Sequence, residues 1–270
     1  MFRDSFFTIE NDAESSFVWL GNTDRREFDT IPVVTCLHGL FGGISNFDGI
    51  AERIHNQFPV FIPEIPFCHA REKRIVSIRE MSDWVIARMD VHGLRETIVV
   101  GNSLGGHIAL DLAIRYPNRI SSLVLTGSSG LHEHLHGASM PKRFDREYTR
   151  SIANKTFTNY AITESELDQI QSVFEDRNRL MNMLRVARSA RKYDLRHRIS
   201  EITQPVQLIW GMDDIITPPS VGEEFLVRLP QAELHLIEHC GHSPMLEQAE
   251  KFATLLKTFL FKNFPKVNTL

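Results

Sequence analysis

Six short runs of β-branched and apolar residues punctuate the chain, each closed by turn residues: VVTCL (33–37), VFI (60–62), TIVV (97–100), LVLT (123–126), VQLIW (206–210) and LHLI (234–237). Their length and near-continuous apolarity predict buried strands. Between most of them the apolar positions shift to helical spacing, as at Ile78, Met81, Trp84, Val85 and Met89, and at Leu104, Ile108, Leu112 and Ala113. Alternation of this kind predicts an α/β fold, a mostly parallel sheet flanked by helices on both faces.

The alternation fails across residues 128–198, where charged helical sequence such as TESELDQIQSVFEDRNRLMNML replaces any strand, with Thr163 and Glu166 at capping-box spacing. An interruption of that length followed by a return to strand and helix is read as a helical cap or lid at 128–198. It is set on a core made of residues 1–127 and 199–270.

Composition narrows the picture further. With 270 residues, 42% of them hydrophobic, the chain can bury one sizeable core. A net charge of −4 with both signs abundant argues against a nucleic-acid partner or an anionic membrane surface, and points to a small or neutral ligand. The three cysteines, Cys36, Cys68 and Cys240, are odd in number and widely spaced, which suits a reduced, cytoplasmic protein. The first residues lack the apolar stretch of a signal peptide, and no uncharged run approaches the roughly 18 residues of a membrane span. A homodimer stays open as an alternative to a monomer.

Within TIVVGNSLGGHIAL, Gly101, Ser103 and Gly105 form GxSxG between a predicted strand and an amphipathic helix, the context that makes this pattern informative. A serine on such a turn is strained, and the small neighbours two residues away relieve the crowding. Its hydroxyl would project above the sheet beside free helix N-terminal N–H groups, Leu104 supplying one of them. The opposing donor would be Leu40, in CLHGLFGG, where Gly39 and the glycines that follow let backbone approach a ligand. His38 is expected to brace that loop by hydrogen bonding, with no part in proton transfer.

A serine nucleophile needs a histidine base and a group to orient it. Among twelve histidines, His242 follows a strand in the turn EHCGHSP and precedes a helix starting near Pro244. The loop after VQLIW offers Asp213 and Asp214, between serine and histidine in chain order, and spacing alone leaves both available.

Taken together, HGLFGG, GNSLGG, WGMDDIITP and GHSPMLEQAEKF resemble the α/β-hydrolase superfamily over about residues 31–260, and in particular its carboxylesterase-like members with a helical cap. The resemblance selects Asp214, the position that matches the family's WGxxDxxxP. It implies a serine hydrolase acting on an ester or related acyl bond through Ser103, Asp214 and His242, without metal or organic cofactor. Serine at 103 separates the chain from haloalkane dehalogenases and epoxide hydrolases, which attack with aspartate. GNSLGG also resembles carbon–carbon bond hydrolases of ring-fission diketones, although those carry tryptophan where Ser243 stands. Acyl transfer on the same triad and a non-catalytic small-ligand receptor complete the alternatives.

Four further features carry chemistry of their own. His132, Glu133, His134 and His136 form a cluster that could hold a divalent metal but is read as a polar loop at the cap entrance. Residues 142–198 hold 13 Lys or Arg against 8 Asp or Glu, and Arg185 and Arg188 are the candidates there for an anionic substrate. Phe174, Met181, Met183 and Leu184 either line an acyl pocket or pack the cap onto the sheet. Cys240 is read as a small buried side chain.

Overall fold

The apolar runs of the sequence become the strands of one eight-stranded sheet in the structure, a computed structural model that describes residues 9–11, 16–21, 31–67, 75–131 and 144–269. In chain order these are β1 (Ile9–Asn11), β2 (Ser16–Leu20), β3 (Val33–Leu37), β4 (Val60–Pro63), β5 (Thr97–Asn102), β6 (Ile120–Thr126), β7 (Val206–Gly211) and β8 (Ala232–Ile237). Spatial order is β1-β2-β4-β3-β5-β6-β7-β8. All pairings from β4 to β8 are parallel, while β1 and β2 add an antiparallel edge that the six-strand expectation lacked.

Why the central strands are apolar at most positions is visible in where alternate residues go. Val33 and Leu37, Val99, Leu123 and Leu125, and Leu208 and Trp210 face one core. Val34 and Cys36, Ile98 and Val100, Val124 and Ile209 face the other. A sheet covered on both sides buries both sets. The first core is closed by α2 (Ile78–Val91), α3 (Leu104–Arg115) and α7 (Pro219–Arg228). The second is closed by α1 (Asp48–Ile54), α8 (Pro244–Glu247) and α9 (Ala249–Asn263).

Between β6 and β7 lie α4 (Arg146–Asn154), α5 (Glu164–Glu175) and α6 (Arg177–Lys192), with no strand among the described residues of that stretch. The Thr163–Glu166 capping box opens α5, both halves of the reciprocal bond being formed. At its far end the stretch is fastened to α3: the Tyr193 hydroxyl donates to the buried carboxylate of Asp111 (2.6 Å), which also pairs with Arg115 (3.1 Å). No described helix is long and apolar enough to cross a membrane.

Candidate active site

Three strand ends converge on Ser103. It sits between β5 and α3 with φ 54° and ψ −117°, one of two described non-glycine residues at positive φ. That conformation costs on the order of 1–3 kcal/mol and persists only where the surroundings impose it. They do so here through hydrogen bonds. The Ser103 N–H donates to Thr126 O at the end of β6 (3.0 Å), and its carbonyl accepts from Gly106 (3.0 Å), His107 (3.2 Å) and Ser129 (3.2 Å). The glycines around it are required by close approach. A Cβ on Gly105 would lie 2.0 Å from Leu37 O, and one on Gly101 would lie 2.7 Å from Gly105 O.

The same proximity brings the β3 loop to the serine. Residues 39–42 form a turn closed by Gly42 N–H to Gly39 O (3.0 Å), and a Cβ on Gly39 would meet the Ser103 Cβ at 3.1 Å. Neither the Leu40 nor the Leu104 amide hydrogen-bonds to another described residue, and the Ser103 side chain does not cap α3. Both N–H groups are therefore left with unspent donor capacity beside the serine. His38 is buried and uses both ring nitrogens: Nε2 accepts the Ile65 N–H (2.9 Å), which leaves the proton on Nδ1 to donate to Gly39 O (2.9 Å). The ring also stands edge-on to Phe67.

Across the sheet, the loops after β7 and β8 touch backbone to backbone. A Cβ on Gly211 would lie 2.1 Å from Gly241 O, and Asp213 N–H donates to Cys240 O (2.9 Å). This contact puts Asp214 against His242. Asp214 is buried while Asp213 is exposed, and only Asp214 bonds the imidazole, Oδ2 to Nδ1 at 2.9 Å. Its other oxygen accepts the N–H groups of Ile216 (2.8 Å) and Thr217 (2.9 Å), and Thr217 Oγ1 donates to Oδ2 (2.9 Å). Trp210 closes the loop from below by donating its indole N–H to Thr217 O (2.8 Å).

His242 is held near the β5–α3 turn by two residues that the sequence patterns did not single out, and among the described residues no hydrogen bond joins its ring to Ser103. Gly127, at φ 53°, lies under the imidazole, where a Cβ would come within 2.8 Å of Nδ1. Asn102 uses its side-chain N–H groups to reach both Thr126 O and His242 O at 3.1 Å. Among the described residues the His242 ring is hydrogen-bonded only through Nδ1, with Asp214 and Thr217. Asn102 stands in GNSLGG, so its signal was in the motif; Gly127 and Thr217 act through loop geometry that no local pattern encodes.

The remaining candidates separate. Arg185 and Arg188 lie on the exposed side of α6, opposite its buried Asn182, Met183, Val186 and Ala190. Phe174 and Met183 are buried together with Val173 and Leu180, and Leu40 packs on that cluster. Leu184 packs against the same cluster, whereas Met181 is exposed and takes no part in it. Burial pushes the Cys240 thiol up to about 12, with help from the nearby carboxylates of Glu247, Asp214 and Asp213, so it stays protonated and a poor nucleophile. Cys68 and the cluster at His132, Glu133, His134 and His136 lie outside the described residues, and among those described no group of three or more His, Cys, Asp or Glu side chains is arranged to hold a metal ion.

The mostly parallel sheet, its strand order and the strained serine after β5 are those of the α/β-hydrolase fold. Residues 32–249 match the model of the alpha/beta hydrolase fold family, and the chain belongs to that family. Among curated relatives, a 2-hydroxy-6-oxononadienedioate/2-hydroxy-6-oxononatrienedioate hydrolase of Burkholderia vietnamiensis is 30% identical over 186 residues. That match covers 64% of this chain and 65% of the relative, just under two thirds of its length. A pimeloyl-[acyl-carrier protein] methyl ester esterase of Neisseria meningitidis is 28% identical over 246 residues, covering 86% of this chain and 94% of the relative. Among solved structures, MGS-MChE2, an alpha/beta hydrolase enzyme from a lagoon-sediment metagenome, superposes with a TM-score of 0.74 at 29% identity. It covers 94% of this chain and 98% of its own.

Proposed function

We propose that this protein is a serine hydrolase that cleaves a carboxylic ester or related acyl bond. The observation that supports it most strongly is the strained Ser103 on the β5–α3 turn, next to Asn102, whose side chain holds the backbone of the buried, Asp214-bonded His242. In the reaction, Ser103 Oγ attacks the substrate carbonyl while His242 Nε2 takes the hydroxyl proton. Asp214 holds Nδ1 protonated, which keeps Nε2 free to accept, and stabilises the imidazolium that forms. The carbonyl oxygen becomes an oxyanion between the Leu40 and Leu104 amides, which hydrogen-bond to no other described residue. His242 returns the proton to the departing alkoxide, leaving an acyl-serine. A water then gives its proton to His242 and attacks the acyl carbon, and as that intermediate collapses His242 returns the proton to Ser103 Oγ, releasing the acid and the free serine.

Residues 128–198 act as the cap in this reading, over a core of 1–127 and 199–270, and Leu40 links the two by packing on the Phe174 cluster. The buried free thiols of Cys36 and Cys240 agree with a reducing, cytoplasmic setting. A second reading, carbon–carbon bond hydrolysis, is favoured by the dienedioate hydrolase relatives. Against it, Arg185 and Arg188, the basic residues considered as anchors for an anionic substrate, are on the solvent side of α6. A panel of p-nitrophenyl esters of increasing acyl length, run beside one ring-fission diketone, decides between them. Ester turnover exceeding diketone turnover, and lost in Ser103→Ala and His242→Ala, is the expected result; the reverse preference would replace the ester reading by carbon–carbon cleavage.

A further inference from the structure

Glu247, in the short helix after the His242 loop, gathers four backbone N–H groups from two distant stretches of chain. Its Oε1 accepts from Gly241 (3.0 Å) and, at a longer 3.4 Å, from Ser243. Its Oε2 accepts from Thr158 (2.7 Å) and Asn159 (3.0 Å). The first pair flanks His242; the second lies between α4 and α5 of the helical segment. An ionised carboxylate has about four acceptor positions, and here each oxygen is shared by amides of one stretch only, so the group bridges the two.

Direct contacts run alongside this bridge. The His242 N–H donates to Thr156 O (2.8 Å), and Asn159 Nδ2 donates to His239 O (2.5 Å). Gly241 leaves no gap between the stretches, since a Cβ there would meet Thr156 O at 2.8 Å and Thr158 N at 3.1 Å. The backbone of His242 is thus held on one side by residues 156–159 and on the other by Asn102 (3.1 Å), while Asp214 holds its ring.

We propose that Glu247 is a positioning residue for His242, and that through it the seating of residues 156–159 is a condition for aligning the imidazole with Ser103. The proposal rests on the serine-hydrolase reading above. Removing the carboxylate frees the amides on both sides at once, and displacements near 1 Å at a reacting group cost on the order of 100-fold in rate. Glutamine keeps the shape of Glu247 but turns an amide NH₂ toward one pair of N–H donors, so it cannot serve both stretches.

The test compares Glu247→Gln and Glu247→Ala with Gln248→Ala, whose side chain bonds Glu238 O and His239 O in the same loop and makes no hydrogen bond to residues 156–159 among those described. With a short-chain p-nitrophenyl ester, well below the melting temperatures, kcat per phosphonylated serine is expected to fall about 10-fold or more in both Glu247 variants while KM stays within about 2-fold. The downfield proton resonance of the Asp214–His242 hydrogen bond should broaden in both, and remain sharp in Gln248→Ala. Glu247 variants that melt lower yet keep kcat and the resonance would overturn the proposal, leaving a structural tie only. If the native protein turns over no acyl substrate, the hydrolase reading fails by itself, and the resonance, which needs no turnover, still reports whether Glu247 holds the pair.

Discussion

Gly105→Ala is the perturbation whose consequence the geometry defines most sharply. The added Cβ would sit 2.0 Å from Leu37 O, 2.6 Å from Leu37 C and 2.8 Å from His38 O, against a floor near 3.0 Å for real Cβ contacts. All three atoms are backbone at the end of a central strand, so no side chain can swing aside, and α3 must retreat by about 1 Å or the strand end must tilt. Overpacking of a rigid site costs about 3 kcal/mol, which for a domain of this size lowers Tm by roughly 6–12 °C. Because Ser103 is the residue before α3, the same retreat separates it from His242 and from the Leu40 loop. That predicts a loss of about 100-fold in kcat at temperatures where the variant is still folded. Circular-dichroism melts give the first quantity, and ester hydrolysis per phosphonylated serine gives the second. A variant melting within about 2 °C of the native protein with unreduced kcat would refute the claimed contact between the α3 turn and β3.

Two other predictions address charge. Asp214→Asn should lower kcat about 10⁴-fold with little change in KM: the carboxamide keeps its oxygen for the Ile216 and Thr217 amides and presents NH₂ to His242, forcing the proton onto Nε2. Burial pushes His107 down to about 4, only partly offset by the Tyr193 backbone and by Asp111, so the folded protein holds it neutral. The unfolded chain binds that proton first as pH falls below the ordinary 6.5, so stability should decline between about pH 6.5 and 4 by up to ~1.4 kcal/mol per pH unit. Denaturant midpoints across that range should show a shallower slope in His107→Leu.

The parts of this molecule that were legible in sequence are those written locally. Five of the six expected strands announced themselves because a sheet covered on both faces buries nearly every position, whereas β8, expected to be buried, lies at the sheet edge and is only partly buried, with Leu236 exposed. Ser103, Leu104, His242 and Asp214 sit at strand ends that the alternation of strand and helix already located. β2 carried an equally apolar signal in SFVWL, but its antiparallel pairing with β4 is a long-range choice, and β1 is too short to read. Asp213 and Asp214 are indistinguishable by composition. Burial separates them, and burial depends on the loops after β7 and β8 meeting through Gly211 and Gly241. Gly127, Thr217 and Glu247 escaped notice for the same reason, since each acts on His242 from a loop whose partner is far away in the chain. The basic character of residues 142–198 suggested a substrate anchor, yet α6 turns Arg185 and Arg188 toward water because its buried face is taken by Asn182, Met183, Val186 and Ala190.

The central claim is that Ser103 is a nucleophile activated by His242. Its most direct test is covalent: incubate the protein with a fluorophosphonate, digest it and map the adduct by mass spectrometry. The account predicts one stoichiometric adduct on Ser103, abolished in Ser103→Ala and slowed about 10³-fold or more in His242→Ala. Labelling that is absent from Ser103, or that proceeds at the native rate without His242, would contradict it.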